Sequence, residues 1–166
     1  ENRNGNTFNG NAFVDITFLK DFKFTFNVGT TVNEIRYYTT TNPYYGFGAE
    51  QNGTVTMYHY RTTTLNLQQI LNYSHNFGKH NISVMLGHES YKYNYAELSA
   101  SKKNMFSYWG NHELNGAVID GSSAASYSND YNTEGYFFRA LYDYDAKYYF
   151  SASYRRDASS RFHPDH

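Results

Sequence analysis

The chain of 166 residues has no cysteine and only two prolines. Without cysteine there is no disulfide framework, no thiolate metal site and no thiol nucleophile. Long apolar runs are missing as well. No stretch of Ala, Val, Ile, Leu, Met, Phe, Trp or Tyr exceeds three residues, whereas a membrane-spanning helix needs about 20. That excludes a helical span but not a barrel, whose strands need only about ten residues with every second one apolar. A mean hydropathy of −0.75 is compatible with such strands. Charge of one sign is also scarce: the formal net charge of −1 argues against nucleic acid as a partner. The opening Glu1-Asn2-Arg3-Asn4-Gly5-Asn6 has no charged-then-apolar leader, so any export signal is expected outside these residues. A G-x-S-x-G elbow, a Walker A loop and a dinucleotide fingerprint are absent too, and no enzyme is expected.

What the chain does have is 19 tyrosines and 13 phenylalanines, which with threonine favour pleated, half-buried strands. The expected class is all-β. Three short polar turns stand out, at Leu19-Lys20-Asp21-Phe22, at Asn76-Phe77-Gly78-Lys79-His80 and at Asp143-Tyr144-Asp145-Ala146-Lys147. Each separates two alternating segments. Ala12, Val14, Ile16 and Phe18 share a face opposite Asn11, Asp15 and Thr17, then Phe22, Phe24, Phe26 and Val28 lie opposite Lys23, Thr25 and Asn27. Leu65, Leu67, Leu71, Tyr73 and Phe77 oppose Asn66, Gln68, Asn72 and Ser74, and Ile82, Val84 and Leu86 oppose Asn81, Ser83 and Glu89. Phe138, Ala140, Tyr142 and Tyr144 oppose Arg139 and Asp143, and Tyr148, Phe150, Ala152 and Tyr154 oppose Ser151, Ser153, Arg155 and Asp157. Gln69, Ile70 and Met85 break the pattern. Between the hairpins, Thr39 to Gly53 and Ser99 to Glu134 read as long polar loops.

Short turns at one end and long loops at the other are the asymmetry of an outer-membrane barrel. Aromatic residues beside the turns (Phe18, Phe22, Tyr73, Phe77, Tyr142, Tyr144, Tyr148) suit an interface girdle. A tilted strand climbs roughly 2.5 Å per residue, so about ten residues cross the apolar band. Counting from Lys147 reaches Arg156 at the far interface, with Arg155 turned to the polar side and Asp157 beginning a loop. A soluble or surface-exposed β-sandwich that binds glycan through its aromatic loops also alternates, and stands as the rival reading.

The segment from Tyr142-Asp143-Tyr144 through Lys147-Tyr148 to Arg155-Arg156-Asp157-Ala158-Ser159-Ser160-Arg161-Phe162 resembles the Y-x-Y-(D)-x-K-Y... RRDGSSRF string of the SusC/RagA family of TonB-dependent transporters. Gly78-Lys79-His80-Asn81, Gly87-His88-Glu89 and Leu98-Ser99-Ala100-Ser101 are similar to that family's HN... GxE... LSAS segment. The likeness covers about residues 65 to 101 and 131 to 162; Ala158 and His163 stand where the family usually has glycine. It implies that residues 1–166 are about six antiparallel strands of a transmembrane barrel of about 22, with short periplasmic turns and long extracellular loops. A plug domain and TonB box would lie outside this chain. The implied setting is the outer membrane of a Gram-negative bacterium, and the implied function is uptake of oligosaccharides or peptides. The implied partners are a SusD-like lipoprotein lid, TonB acting through the plug, and membrane lipid.

Candidate substrate contacts are exposed rings and amides in the two long segments: Tyr44, Tyr45, Tyr108, Trp109, Asn111 and His112. Rings stack on apolar sugar faces, and Asn or His bonds hydroxyls; packing of the loops on themselves is the plainer alternative. The family motif residues are Arg155, Arg156, Asp157, Ser159, Ser160, Arg161 and Phe162. No catalytic or metal site and no cofactor is expected. Asp120, Asp130 and Glu134 could bind Ca²⁺ but lack EF-hand spacing, and His163-Pro164-Asp165-His166 has no distant third ligand. His75 and His80 are expected to bond solvent or headgroups.

Overall fold

The computed structural model describes residues 2–106 and 112–162, with backbone only at 119–123. Six strands follow one another: β1 (Asn2–Phe18), β2 (Phe22–Thr41), β3 (Thr54–Phe77), β4 (His80–Met105), β5 (Ala117–Tyr144) and β6 (Tyr148–Ser159). They form one sheet in the order β1-β2-β3-β4-β5-β6. This up-and-down path needs only hairpins, and the three tight turns fall where the polar signals lie. Gly78 takes φ 70, as a two-residue Gly-x hairpin demands. Leu19 and Lys20 in one three-residue turn, and Asp145 and Ala146 in another, also have positive φ.

The long polar segments are a correction. Only residues 42–53 and 106–116 separate strands there, with short 3-10 turns at Gly46–Gln51 and Leu114–Gly116. Thr39 to Thr41 belong to β2, Ser99 to Met105 to β4, and Ala117 to Glu134 to β5. Gly and Asn have weak strand propensity and Ser favours turns, but pairing with neighbouring strands supplies the backbone hydrogen bonds whatever the side chain.

The residues cluster into two units. The first comprises 1–8, Val32–Thr63 and Asn94–Asn129, and it holds a small buried apolar cluster. Val55 is fully buried, Met105 and Ala117 nearly so, and Leu114 packs against them. Asn52 and Gly53, both at positive φ, bring the chain back so that the Asn104 and Met105 amides donate to the Gly53 and Asn52 carbonyls at 3.1 and 2.9 Å.

The second unit comprises Asn9–Thr31, Thr64–Tyr93 and 130–166, the arms that flank the tight turns. It has no apolar core among the described residues; its apolar side is exposed. Val14 is 53% exposed, Leu86 50%, and Phe150 and Tyr154 65% each. A sandwich would bury this face under a second sheet, whereas the described residues form a single sheet and leave the face open. Solvation by hydrocarbon instead of a core is what an outer-membrane strand uses.

Polar atoms enter this apolar face at two levels. Beside the turns, Phe18 stacks on Phe22 at 5.4 Å, Phe22 meets Tyr73 at 4.8 Å, and His75 meets Phe77 at 4.2 Å. There His75 Nδ1 bonds Asp21 Oδ2 at 2.8 Å and His80 Nδ1 bonds the Tyr142 hydroxyl at 2.7 Å, so one ring nitrogen of each histidine is engaged within the protein. The second level is eight or so residues further along, at Gln69, His88 and Arg156. His88 Nδ1 lies 2.6 Å from Gln69 Oε1, which explains why Gln69 breaks the alternation. Between the levels the face carries Leu71, Ile82, Val84, Leu86, Phe138, Ala140, Phe150 and Ala152, an apolar span of roughly 20 Å at the strand's climb per residue.

Candidate functional site

The polar face carries the chemistry, and it is built separately in each unit. In the second unit, Gly135 pairs with Asp157 and Phe137 with Arg155 across β5 and β6. Alternation then sets Arg155 and Asp157 on one side, and the Arg155 Nε donates to both Asp157 carboxylate oxygens at 2.9 Å. A terminal nitrogen of Arg155 also reaches Glu89 Oε2 at 3.4 Å, and the guanidinium lies 5.8 Å from the Phe137 ring centre. Glycines make room for this cluster. A Cβ on Gly87 would come 2.0 Å from Phe137 ring atoms, and one on Gly135 would come 2.6 Å from Asp157 Oδ1. Gly87-x-Glu89 and Arg155-x-Asp157, far apart in sequence, thus form one latch.

Asp157 stands inside β6, not at the start of a loop, because pairing with β5 continues to Ser159. Beyond it the motif clasps the strand end. Ser160 Oγ accepts from the Asn132 amide at 3.0 Å, Ser159 Oγ accepts from the Arg161 amide at 3.3 Å, and Arg161 lies 4.0 Å over the Tyr131 ring. Tyr131 also contacts Tyr93 at 4.9 Å and Tyr91 at 6.0 Å. Phe162 is exposed. Arg156 lies across from Tyr136 on the apolar side.

In the first unit the same parity yields a ladder of tyrosines across four neighbouring strands. Tyr37 stacks on Tyr58 at 4.6 Å and meets Tyr60 edge-on at 6.4 Å; Tyr60 meets Tyr95 and Tyr95 meets Tyr127, both at 6.2 Å. Two hydroxyls are engaged within the protein, Tyr60 accepting from Arg3 at 2.6 Å and Tyr95 donating to Glu97 at 2.6 Å.

Of the residues expected to touch substrate, Tyr44 and Tyr45 are exposed beside Gly46–Gln51, with the Tyr44 amide donating to Asn42 Oδ1 at 2.8 Å. His112 is half-buried and stacked on Tyr38 at 4.5 Å. Tyr108, Trp109 and Asn111 lie outside the described residues, as do His163 to His166. The side chain of Asp120 does too, while Asp130 and Glu134 stand in β5. Among the described residues no group of three His, Asp or Glu could hold a metal ion. The ladder escaped the sequence reading because its tyrosines lie in segments taken for loops or beyond the counted strands. Extending the polar-face parity past the ten-residue crossing would have found it.

No family model matches the chain. It is 29% identical over 169 residues to the TonB-dependent receptor P3 of Formosa agariphila, a match covering 98% of this chain and 16% of the relative. Among solved structures, the RagAB peptide importer in its open-open state matches with a TM-score of 0.81 and 25% identity over 96% of this chain and 18% of that one. The RagAB peptide transporter matches with a TM-score of 0.84 and 24% identity over 98% of this chain and 18% of that one. The chain therefore spans about a sixth of the length of the relatives it matches. With one six-stranded meander, an exposed apolar face in the second unit and these likenesses along nearly all of it, the chain resembles a barrel segment of TonB-dependent receptors of the SusC/RagA kind.

Proposed function

We propose that this segment forms part of the wall of a TonB-dependent importer in the outer membrane of a Gram-negative bacterium, working with a SusD-like lipoprotein and taking up peptides or oligosaccharides. The observation that carries this reading is the apolar face of the second unit, exposed in the chain and bounded by two polar levels, with the ionic latch on its opposite side. The apolar side then meets lipid and the polar side lines the barrel. The similar solved structures being a peptide transporter and importer supports peptide as a substrate class; exposed ring faces serve apolar sugar faces equally. Neither role is catalytic: the wall binds and guides, while energy would come through TonB and the plug.

The tyrosine ladder is the part of this segment assigned to substrate. A ring contact contributes about 1 kcal/mol, close to fivefold in affinity. Changing Tyr58 and Tyr95 to Leu together in the full-length receptor is expected to lower substrate binding by tenfold or more, read by calorimetry on the purified receptor, while the barrel keeps its heat-modifiable migration on gels. Unchanged binding would remove the ladder from the substrate path.

A further inference from the structure

A groove of about 370 Å³ opens in the second unit, lined on its apolar side by Phe24, Leu71, Leu86, Phe138 and Tyr154, with Tyr136 and His88 at one end. Its polar end coincides with the second polar level, where Tyr136 packs against His88 at 4.7 Å. Directly across the β5–β6 pairing from Tyr136 stands Arg156. The two consecutive arginines have opposite fates. Arg155 is held by Asp157 and Glu89 on the polar face, whereas exposed Arg156, on the apolar face, has no acidic partner among the described residues.

A guanidinium at the edge of hydrocarbon is costly unless an anion meets it. It pairs with phosphate through two parallel hydrogen bonds, and phosphate is the anion found at that depth. Tyr136 and Tyr154 are amphipathic rings suited to the headgroup level. We propose that this groove seats one phosphate-bearing membrane lipid, an acyl chain lying along Leu71, Leu86 and Phe138 and the phosphate on Arg156. The inference rests on the outer-membrane barrel reading above.

The test uses the full-length receptor, delipidated in mild detergent and titrated with dioleoyl phosphatidic acid under native mass spectrometry. The expected result is a retained one-lipid adduct, at least fivefold more abundant than with dioleoyl phosphatidylcholine. Arg156→Gln should reduce it at least fivefold, and Leu86→Trp, which fills the groove, should reduce it comparably, while millimolar inorganic phosphate should not displace the lipid. Equal adducts in wild type and Arg156→Gln, or no effect of Leu86→Trp, would overturn the proposal, as would displacement by inorganic phosphate alone, since the groove would then contribute nothing. Heat-modifiable migration of both variants separates lost binding from lost folding. Release of the receptor from native membranes by carbonate would instead sink the barrel reading itself.

Discussion

Gly87 shows how one missing side chain positions several others. The Phe137 ring occupies the space above it, and Arg155, beside that ring, is then in reach of Asp157 and Glu89. Gly87→Ala would push the ring aside, an overpacking that costs about 1 to 3 kcal/mol. The expected outcome is a lower urea midpoint for the full-length receptor refolded in vesicles, with Gly87→Ser no better. A midpoint equal to wild type would mean the ring moves freely and the latch does not depend on it. Sequence alone placed Arg155 and Glu89 on the polar side correctly, because period-two alternation needs no partner. It could not show that they meet, since register between strands is a tertiary fact.

At the scale of strands, alternation was the reliable signal and loop composition the misleading one. Ile82, Val84 and Leu86 share the outward face, and Asn81 and Ser83 the opposite one; Asn81 donates to Asp143 at 3.0 Å on that polar side. The contrast predicts two neighbouring substitutions with different costs. Val84→Lys puts a cation near the middle of the apolar band and should destabilise the full-length barrel by about 2 to 4 kcal/mol, while Ser83→Lys, facing inward, should cost far less. Equal losses in a folding titration would refute the assigned faces. The segment 99–134 was misread because its small polar residues resemble loop chemistry, yet β4 and β5 continue through most of it. A strand paired on both sides has little need of its own propensity.

For the whole molecule, the tight turns and the longer connections fall at alternate ends of successive strands, which fixes a testable sidedness. Barrels keep short turns in the periplasm and long connections outside. Cysteine introduced at Phe47, which is fully exposed, should react with an impermeant maleimide on intact cells, and cysteine at Ala146 should react only after the outer membrane is opened. The reverse pattern would invert the topology. The sequence by itself determined the strand class, the two faces and the three tight turns, because these depend on side-chain alternation and on residues that tolerate turn geometry within a few positions. Only the tertiary structure decided how far the strands run, that Gly87-x-Glu89 meets Arg155-x-Asp157, and that scattered tyrosines form a ladder, because each depends on pairing between segments tens of residues apart. Local sequence chooses which face a side chain takes; inter-strand register chooses its neighbours.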